Sequence, residues 1–466
     1  MRLRPFFIER KTMNELYSDT IAAISTGRSI CAIGIIRLSG PDTLTVLDRV
    51  FRPCRGKPMS AREDRRLILG DLLDTDGRVL DQCLATVSRG PNSYTGEDTA
   101  ELQCHGSPVV LNRGLTALFA AGARQALAGE FTRRAFLNNR LDLAQAEAVI
   151  DLIDSQTVQA AKVAAGQLGG AVSRRTDALY DSLSAICSHY HAVLDYPDED
   201  IEDFTLQAYT GTLTETERAL EQLLDSFTRG NRLVAGVRTA ITGRTNVGKS
   251  SLLNALVGYD RAIVTDIAGT TRDTLEESAV LGGVLLRLID TAGQRKTDDP
   301  VEKLGVERAR AAAESAELVI AVLDGSQPLS EEDHAILAQA ESAPHHLVLV
   351  NKNDLPAAFE LPAGALSVSA ATGAGLREAE RAVAALFPTG ERELDGEILT
   401  SARQADAVKR ALEYVRSARA AMEEGVFPDA VLTEIEGAMS ALGELTGRTV
   451  REDITNGIFS RFCVGK

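Results

Sequence analysis

The chain has 466 residues, with 50 basic and 66 acidic side chains, a net charge of −16 and an isoelectric point near 5.0. That balance excludes a protein coated in basic surface for indiscriminate nucleic-acid binding, so any nucleic acid is read by one local face or with a partner's help. At ~150 residues per domain the length suggests about three domains, and 44 % hydrophobic with 25 % charged residues is ordinary for a globular chain. Trp is absent and aromatics are 5 %, so Ala- and Leu-rich helices carry the apolar load. The six cysteines, Cys31, Cys54, Cys83, Cys104, Cys187 and Cys463, form no C-x-x-C pair and read as reduced thiols of a cytoplasmic protein. No apolar run reaches the ~18 residues of a membrane helix.

Residues 1–12 are basic, and their apolar part is too brief for a signal peptide. They read as an extended or mis-assigned start before Met13, or alternatively as a mitochondrial-type presequence. From residue 13 to 130 short apolar runs alternate with turns. Strands are predicted at 33–38, 67–72, 83–87 and 99–103, and helices at 42–51 and 109–121, which together make an α+β domain. The segment 90–98, Gly-Pro-Asn-Ser-Tyr-Thr-Gly-Glu-Asp, is a loop of turn formers. Residues 131–232 switch to helical spacing at 143–153, 160–168 and 176–194, and an acidic break around Pro197 interrupts them. Residues 233–390 alternate strands, at 238–242, 285–289, 318–323 and 347–350, with helical patterns, as a doubly wound α/β sheet does. Helical spacing returns in 391–466, at 402–422 and 430–445. The α/β domain is therefore expected as an insertion in one all-α helical domain.

Chemistry concentrates in the α/β segment. Gly243-Arg-Thr-Asn-Val-Gly-Lys-Ser250 fits G-x-x-x-x-G-K-[ST] between a strand and a helical run beginning at Ser251. Glycines there admit backbone N–H groups to phosphates, Lys249 reaches the β and γ phosphates, and the Ser250 hydroxyl suits Mg2+. Asp290-Thr291-Ala292-Gly293 follows in order, then Asn351-Lys352-Asn353-Asp354 and Ser369-Ala370. Asp354 can accept from the paired N1 and N2 donors of guanine, which adenine lacks. Thr271, within Gly269-Thr-Thr-Arg-Asp273, is the candidate switch threonine that completes the Mg2+ shell, in an expected switch loop over 261–273. The segment is read as a GTPase.

Asn246, the Gly269–Asp273 run and Asp290–Gly293 resemble the bacterial GTPase group that includes Era, Der and MnmE. The terminal Phe462-Cys-Val-Gly-Lys466, residues 131–148 and residues 90–98 resemble the MnmE (TrmE) family, and the resemblance covers residues 13–466. It implies a potassium-dependent GTPase that acts with the flavoprotein MnmG (GidA), in a heterotetramer or larger complex, on the wobble uridine of tRNA. There an aminomethyl or carboxymethylaminomethyl group is built on C5. It further implies a homodimer formed through N-terminal domains that hold 5-formyl- or methylene-tetrahydrofolate. By position, the nucleotide contacts span Asn246, Val247, Gly248, Lys249, Ser250 and Ser251, and Thr265, Asp266, Ile267, Ala268, Gly269, Thr270 and Thr271. Asn246, Thr265, Ile267 and Thr270 match potassium ligands. Glu302 matches the glutamate that orients the attacking water. Arg37, Glu101, Arg140 and Lys466 match folate contacts: a carboxylate suits pterin N–H groups, and cations suit the folate's carboxylates. Cys463 is the tail cysteine, open to a nucleophile or acid role or to packing beside the folate.

The chain departs from the family pattern in places. Gln294 stands where a hydrophobic residue is usual, and resembles a water-orienting glutamine, so it competes with Glu302 for that role. Thr245 replaces a proline, Arg140 a lysine and Val464 an isoleucine, and residues 26–33 differ from the expected Gly-rich loop. The competing reading is a regulatory, ribosome-associated GTPase of the Era or Der type. It predicts basic RNA-binding modules and leaves the 462–466 tail unexplained.

Overall fold

The computed structural model describes residues 18–27, 29–195, 206–259, 277–289, 314–425, 428–449 and 452–465. The break at Pro197 and the switch loop 261–273 lie outside them. Contacts divide the chain into two compact units, one of residues 1–150, 168–214 and 413–466, the other of 151–167 and 215–412.

The first unit carries a seven-stranded sheet: β1 (Ile21–Ile24), β2 (Cys31–Ser39), β3 (Phe51–Pro53), β4 (Ile68–Leu73), β5 (Val79–Ser88), β6 (Thr99–Gly106) and β7 (Arg124–Gln125). The order is β3-β4-β5-β6-β2-β1-β7, antiparallel throughout except for β1 with β7. Period-2 alternation sends Ile36, Leu38, Ala85, Val87, Ala100 and Leu102 to one face. The helices Thr43–Val50 and Pro108–Ala120 cover that face with Val46, Leu47, Leu111 and Leu118. Arg37 and Glu101 are register partners between these inward residues, so the same alternation sends them to the opposite face.

Further along, the helix Ala171–Asp195 packs against the helix Pro428–Thr446. The helix Glu452–Phe459 leads into the tail, where Ile458, Phe459 and Phe462 share a core with Phe136, Leu137, Leu143 and Ile150. The tail then runs beside the sheet. Val464 bridges Ala128, and the Ser25 hydroxyl donates to the Gly465 carbonyl at 2.9 Å. Gly465 has φ +105°, and a Cβ there would sit 2.3 Å from the Ile24 carbonyl oxygen, so only glycine fits.

The helix Glu130–Leu137 was not predicted, because buried charges break its apolar pattern. Arg134 and Glu130 are each 1 % exposed and pair at 3.0 Å. Arg134 also donates to the Asp19 carbonyl (2.6 Å), the Asp19 carboxylate (2.7 Å) and Glu97 (3.1 Å). Arg124 reaches Glu130 at 2.6 Å. Burial pushes the Glu130 carboxyl up, but hydrogen bonds from Arg124, the Leu127 N–H and Arg134 outweigh it and leave it below its ordinary value.

The second unit holds a six-stranded sheet: β8 (Val237–Thr242), β9 (Glu277–Leu281), β10 (Val284–Leu288), β11 (Leu318–Asp324), β12 (His345–Asn351) and β13 (Leu366–Ser367), in the order β13-β12-β11-β8-β10-β9. The pairs β10–β8, β8–β11, β11–β12 and β12–β13 are parallel. The reading of 285–289 as a parallel strand needs one addition: β9 joins β10 antiparallel through Gly282 and Gly283, at φ +61° and +79°. Two left-handed glycines match the twist of a two-residue hairpin, so the sheet is mixed at this edge. Every residue of β11 is buried. Ile320 and Val322 face the helices Lys249–Tyr259 and Leu376–Leu386, while Val319 and Ala321 meet the helix Glu331–Glu341 on the other side.

Substituting Arg134 by Ala removes one charged partner of the buried Glu130 carboxylate, leaving it to Arg124 and the Leu127 N–H, and loss of one partner of a buried pair costs about 3–5 kcal/mol. We expect the first unit's denaturant transition, followed by circular dichroism, to fall accordingly. Asp19 and Glu130 have depressed folded pKa values. Their contribution is full above the ordinary carboxylate range and is lost as pH falls through the lowered values. The variant's acid unfolding should therefore begin at higher pH than that of the parent chain.

Candidate nucleotide site

β8 delivers the chain to a loop that only particular backbones can form. Gly243 leaves the strand at φ +152°, where a Cβ would lie 2.4 Å from the Val322 carbonyl oxygen. Asn246 takes φ +65°, a conformation asparagine tolerates better than most side chains. At Gly248, φ +94°, a Cβ would lie 2.3 Å from Nδ2 of Asn351. The helix Lys249–Tyr259 starts at once, with Ser250 and Ser251 in its first turn, so the N–H end of the helix faces the loop.

Asn351 explains why that glycine is bare. Its Nδ2 donates to the Val247 carbonyl at 2.9 Å, and its Oδ1 accepts from the Ala370 N–H at 3.0 Å. One side chain thus fixes the phosphate loop to the 369–370 loop. Lys352 holds φ +66° and pairs with Asp324 at 2.6 Å. Burial raises the Asp324 carboxyl, but Lys352 and Ser326 hold it below its ordinary value. The Ser369 hydroxyl donates to Asp354 Oδ1 at 2.6 Å, which orients that carboxylate. Lys249 Nζ donates to the Gly243 and Arg244 carbonyls at 2.6 and 2.7 Å. Burial pushes its pKa below that of an ordinary lysine, against the opposing charge of Glu332. An anionic oxygen is a stronger acceptor than these carbonyls, so the ammonium is poised for a phosphate. The residues present fit a purine nucleotide, with phosphates at one end and a carboxylate at the other.

The sequence did not single out Arg244, which pairs at 2.9 Å with Asp333, itself 1 % exposed. The legible signal was Ser330-x-x-Asp333, whose reciprocal cap starts the helix Glu331–Glu341. Thr265 to Thr271, Asp290 to Gly293, Gln294, Glu302 and Lys466 lie outside the described residues.

In the first unit, Arg37 and Glu101 engage each other at 2.9–3.0 Å, each side chain under one-third exposed. The Arg37 guanidinium lies 5.7 Å from the Tyr94 ring centre and 5.8 Å from that of Phe131. Tyr94 therefore belongs with this group, although no motif marks it. Burial pushes its phenol up, and its hydroxyl meets Thr132 at 3.0 Å. Arg140 is exposed and stands against the same loop, its Cγ 3.3 Å from where a Cβ of Gly96 would be. Cys463 is exposed, and its carbonyl accepts from the Gly129 N–H at 3.4 Å.

An inner parallel strand that ends in this phosphate loop, with an Asn-Lys-Asn-Asp carboxylate aimed by Ser369, defines a P-loop GTPase. Two family models match the chain: MnmE helical domain over residues 143–463, and GTP-binding protein TrmE N-terminus over residues 20–140. The tRNA modification GTPase MnmE of Roseiflexus sp. is 44 % identical over 97 % of this chain and 100 % of its own length. The same-named protein of Symbiobacterium thermophilum is 44 % identical over 96 % and 99 %. A solved Aquifex aeolicus Era chain aligns at 25 % identity and a TM-score of 0.25, over 38 % of this chain and 65 % of its own. The chain belongs to the MnmE family of tRNA modification GTPases.

Asp354→Asn exchanges two acceptors for a donor and an acceptor. It should weaken GTP binding by at least about 100-fold, because the lost bonds are charge-assisted. Xanthosine triphosphate, whose 2-oxo group accepts, should bind the variant better than GTP does. Equilibrium binding of both nucleotides measures the switch.

Proposed function

We propose that this chain hydrolyses GTP as one component of a complex that modifies C5 of the tRNA wobble uridine, with a one-carbon unit drawn from a tetrahydrofolate. The observation that carries the reading is the pairing of a guanine-type nucleotide site with a second polar group, Arg37–Glu101, in one chain whose relatives bear the name tRNA modification GTPase. In this reading Ser250 and Thr271 hold Mg2+, and Asn246, Thr265, Ile267 and Thr270 hold K+, which supplies positive charge beside the phosphates where other GTPases use an arginine. Glu302 positions water, with Gln294 as its competitor. Asp290 supports the metal and Gly293 meets the γ-phosphate.

At the second group, Arg37 fixes Glu101 so that the carboxylate can meet paired N–H donors of a pterin. The Tyr94 ring stands beside it, and Arg140 and Lys466 meet the folate's carboxylates. Residues 13–130 form the folate-binding and dimerising domain, 131–232 with 391–466 the helical domain, and 233–390 the GTPase domain. The partners are a second copy of the chain, the MnmG flavoprotein and tRNA, in the cytoplasm.

GTP turnover by the purified chain in KCl should exceed that in NaCl at equal ionic strength by about tenfold or more, and Asn246→Ala should erase the difference. Equal rates in both salts would show that the potassium site is unused and would put Gln294 ahead of Glu302. Glu302→Ala should lose more turnover than Gln294→Ala.

Tetrahydrofolate should bind the isolated chain in calorimetry. Glu101→Gln should weaken that binding about 10- to 100-fold, the range for losing a charge-assisted hydrogen bond. No binding by the parent chain would remove the folate from the proposal and leave the GTPase reading standing.

A further inference from the structure

Away from both polar groups, the first unit brings together three side chains of metal-ligating type. Cys187 and His191 are four residues apart on the helix Ala171–Asp195, so they share one face. Glu436 comes from the helix Pro428–Thr446, which packs against that face. The thiol sulfur, an imidazole nitrogen and a carboxylate oxygen all lie within 4.8 Å of one another. His191 Nε2 and Glu436 Oε1 are 3.4 Å apart. Cys187 is buried at the inner end, whereas the His191 and Glu436 side chains are 45 % and 52 % exposed. Leu183 lies one turn before Cys187, and Leu432 lies one turn before Glu436 on its helix; both are buried.

We propose that Cys187, His191 and Glu436 form a binding site for a borderline-soft divalent cation of the Zn2+ class, which cross-links the two helices. Zinc bonds of about 2.0–2.3 Å in tetrahedral geometry place neighbouring donor atoms roughly 3.3–3.8 Å apart. The imidazole and carboxylate already stand at that spacing, and the thiol needs only a side-chain adjustment. A bare His–Glu ion pair requires no third group, and the added sulfur is what selects the ion. Thiolate with imidazole disfavours Mg2+ and K+, which take oxygen ligands, so this site does not compete for the ions of the nucleotide site. Binding transfers the Cys187 proton to solvent and replaces the S–H bond by a sulfur–metal bond. Three protein donors leave the fourth position to water, and the exposed side lets the ion enter from solvent.

The test uses the full chain, stripped with a chelator and returned to buffer with saturating Mg2+. Titration with Co2+ should raise a thiolate-to-cobalt charge-transfer band and the visible bands of tetrahedral cobalt, and Zn2+ should bleach both. Cys187→Ser should abolish the charge-transfer band. His191→Ala and Glu436→Gln should weaken Co2+ binding by at least about tenfold. Zn2+ should raise the melting temperature of the parent chain but not of the variants. Absence of the band overturns the proposal. So does a band of equal strength in Cys187→Ser, because it assigns the ion to the exposed thiols of Cys31, Cys54 or Cys463. If Cys187→Ser fails to fold, Glu436→Gln decides, since its half-exposed side chain can change without disturbing the core: unweakened binding there overturns the site.

Discussion

The guanidinium of Arg134 is the constraint on which the first unit is built. A cation 1 % exposed must be surrounded by acceptors, and here they come from three segments distant in sequence. Asp19 precedes β1, Glu97 lies near the end of the 90–98 loop, and Glu130 starts the helix that carries Arg134 itself. Placing one side chain therefore fixes the chain's entry to the sheet, the loop and the helix together. The loop is locked further: Ser39 donates to Glu97 at 2.7 Å, and Asn138 donates to the Thr95 carbonyl at 2.7 Å. Tyr94 is held beside Arg37 as a consequence. The half-buried pair Arg37–Glu101 thus rests on a buried charge network that sets its geometry.

In the second unit an uncharged side chain does the corresponding work. Asn351 has one donor and one acceptor end, and each satisfies a backbone group of a different loop. The asparagine of Asn-Lys-Asn-Asp is therefore structural in this geometry, while the aspartate two positions after Lys352 is the group aimed outward. That division follows from burial: Asn351 is 2 % exposed, whereas Asp354 is exposed and is restrained by Ser369. A glycine at 248 is required because the amide of Asn351 occupies the space of its side chain.

The sequence made the periodic elements legible because apolar spacing reports burial directly. The runs at 238–242, 318–323 and 347–350 are inner strands, and the last two are continuous in Val, Ile, Leu and Ala because both faces are covered. What escaped were elements without such a signal. β1 reads Ile-Ala-Ala-Ile, buried at its first three residues and too short to show a period, and β7 is two residues paired with β1. The helix Glu130–Leu137 hides because its inward face carries Glu130 and Arg134, and two of the partners that let Arg134 be buried, Asp19 and Glu97, lie far off in the chain. At the candidate sites, motifs gave the residue types. They could not give Arg244–Asp333, or Tyr94 beside Arg37, since such pairings depend on tertiary placement.

The tail illustrates how a short terminal signature can be specified by backbone geometry as much as by side-chain chemistry. Phe459 and Phe462 anchor it in the core around Phe136. Beyond them Val464 is 40 % exposed, and its bridge to Ala128 is made by backbone, so exchange of isoleucine for valine there alters little of the contact. Gly465 is the strict position, because its carbonyl accepts from Ser25 while its Cα rests on the Ile24 carbonyl. Gly129, at φ +65°, is strict for the same reason from the other side, since a Cβ there would lie 2.8 Å from the Phe459 carbonyl oxygen. Two glycines more than 300 residues apart in the chain therefore serve two close approaches of backbone, both made by the tail region. Cys463 lies between the aromatic anchor and Gly465 with its side chain exposed, and its backbone is held on either side, its own carbonyl accepting from the Gly129 N–H.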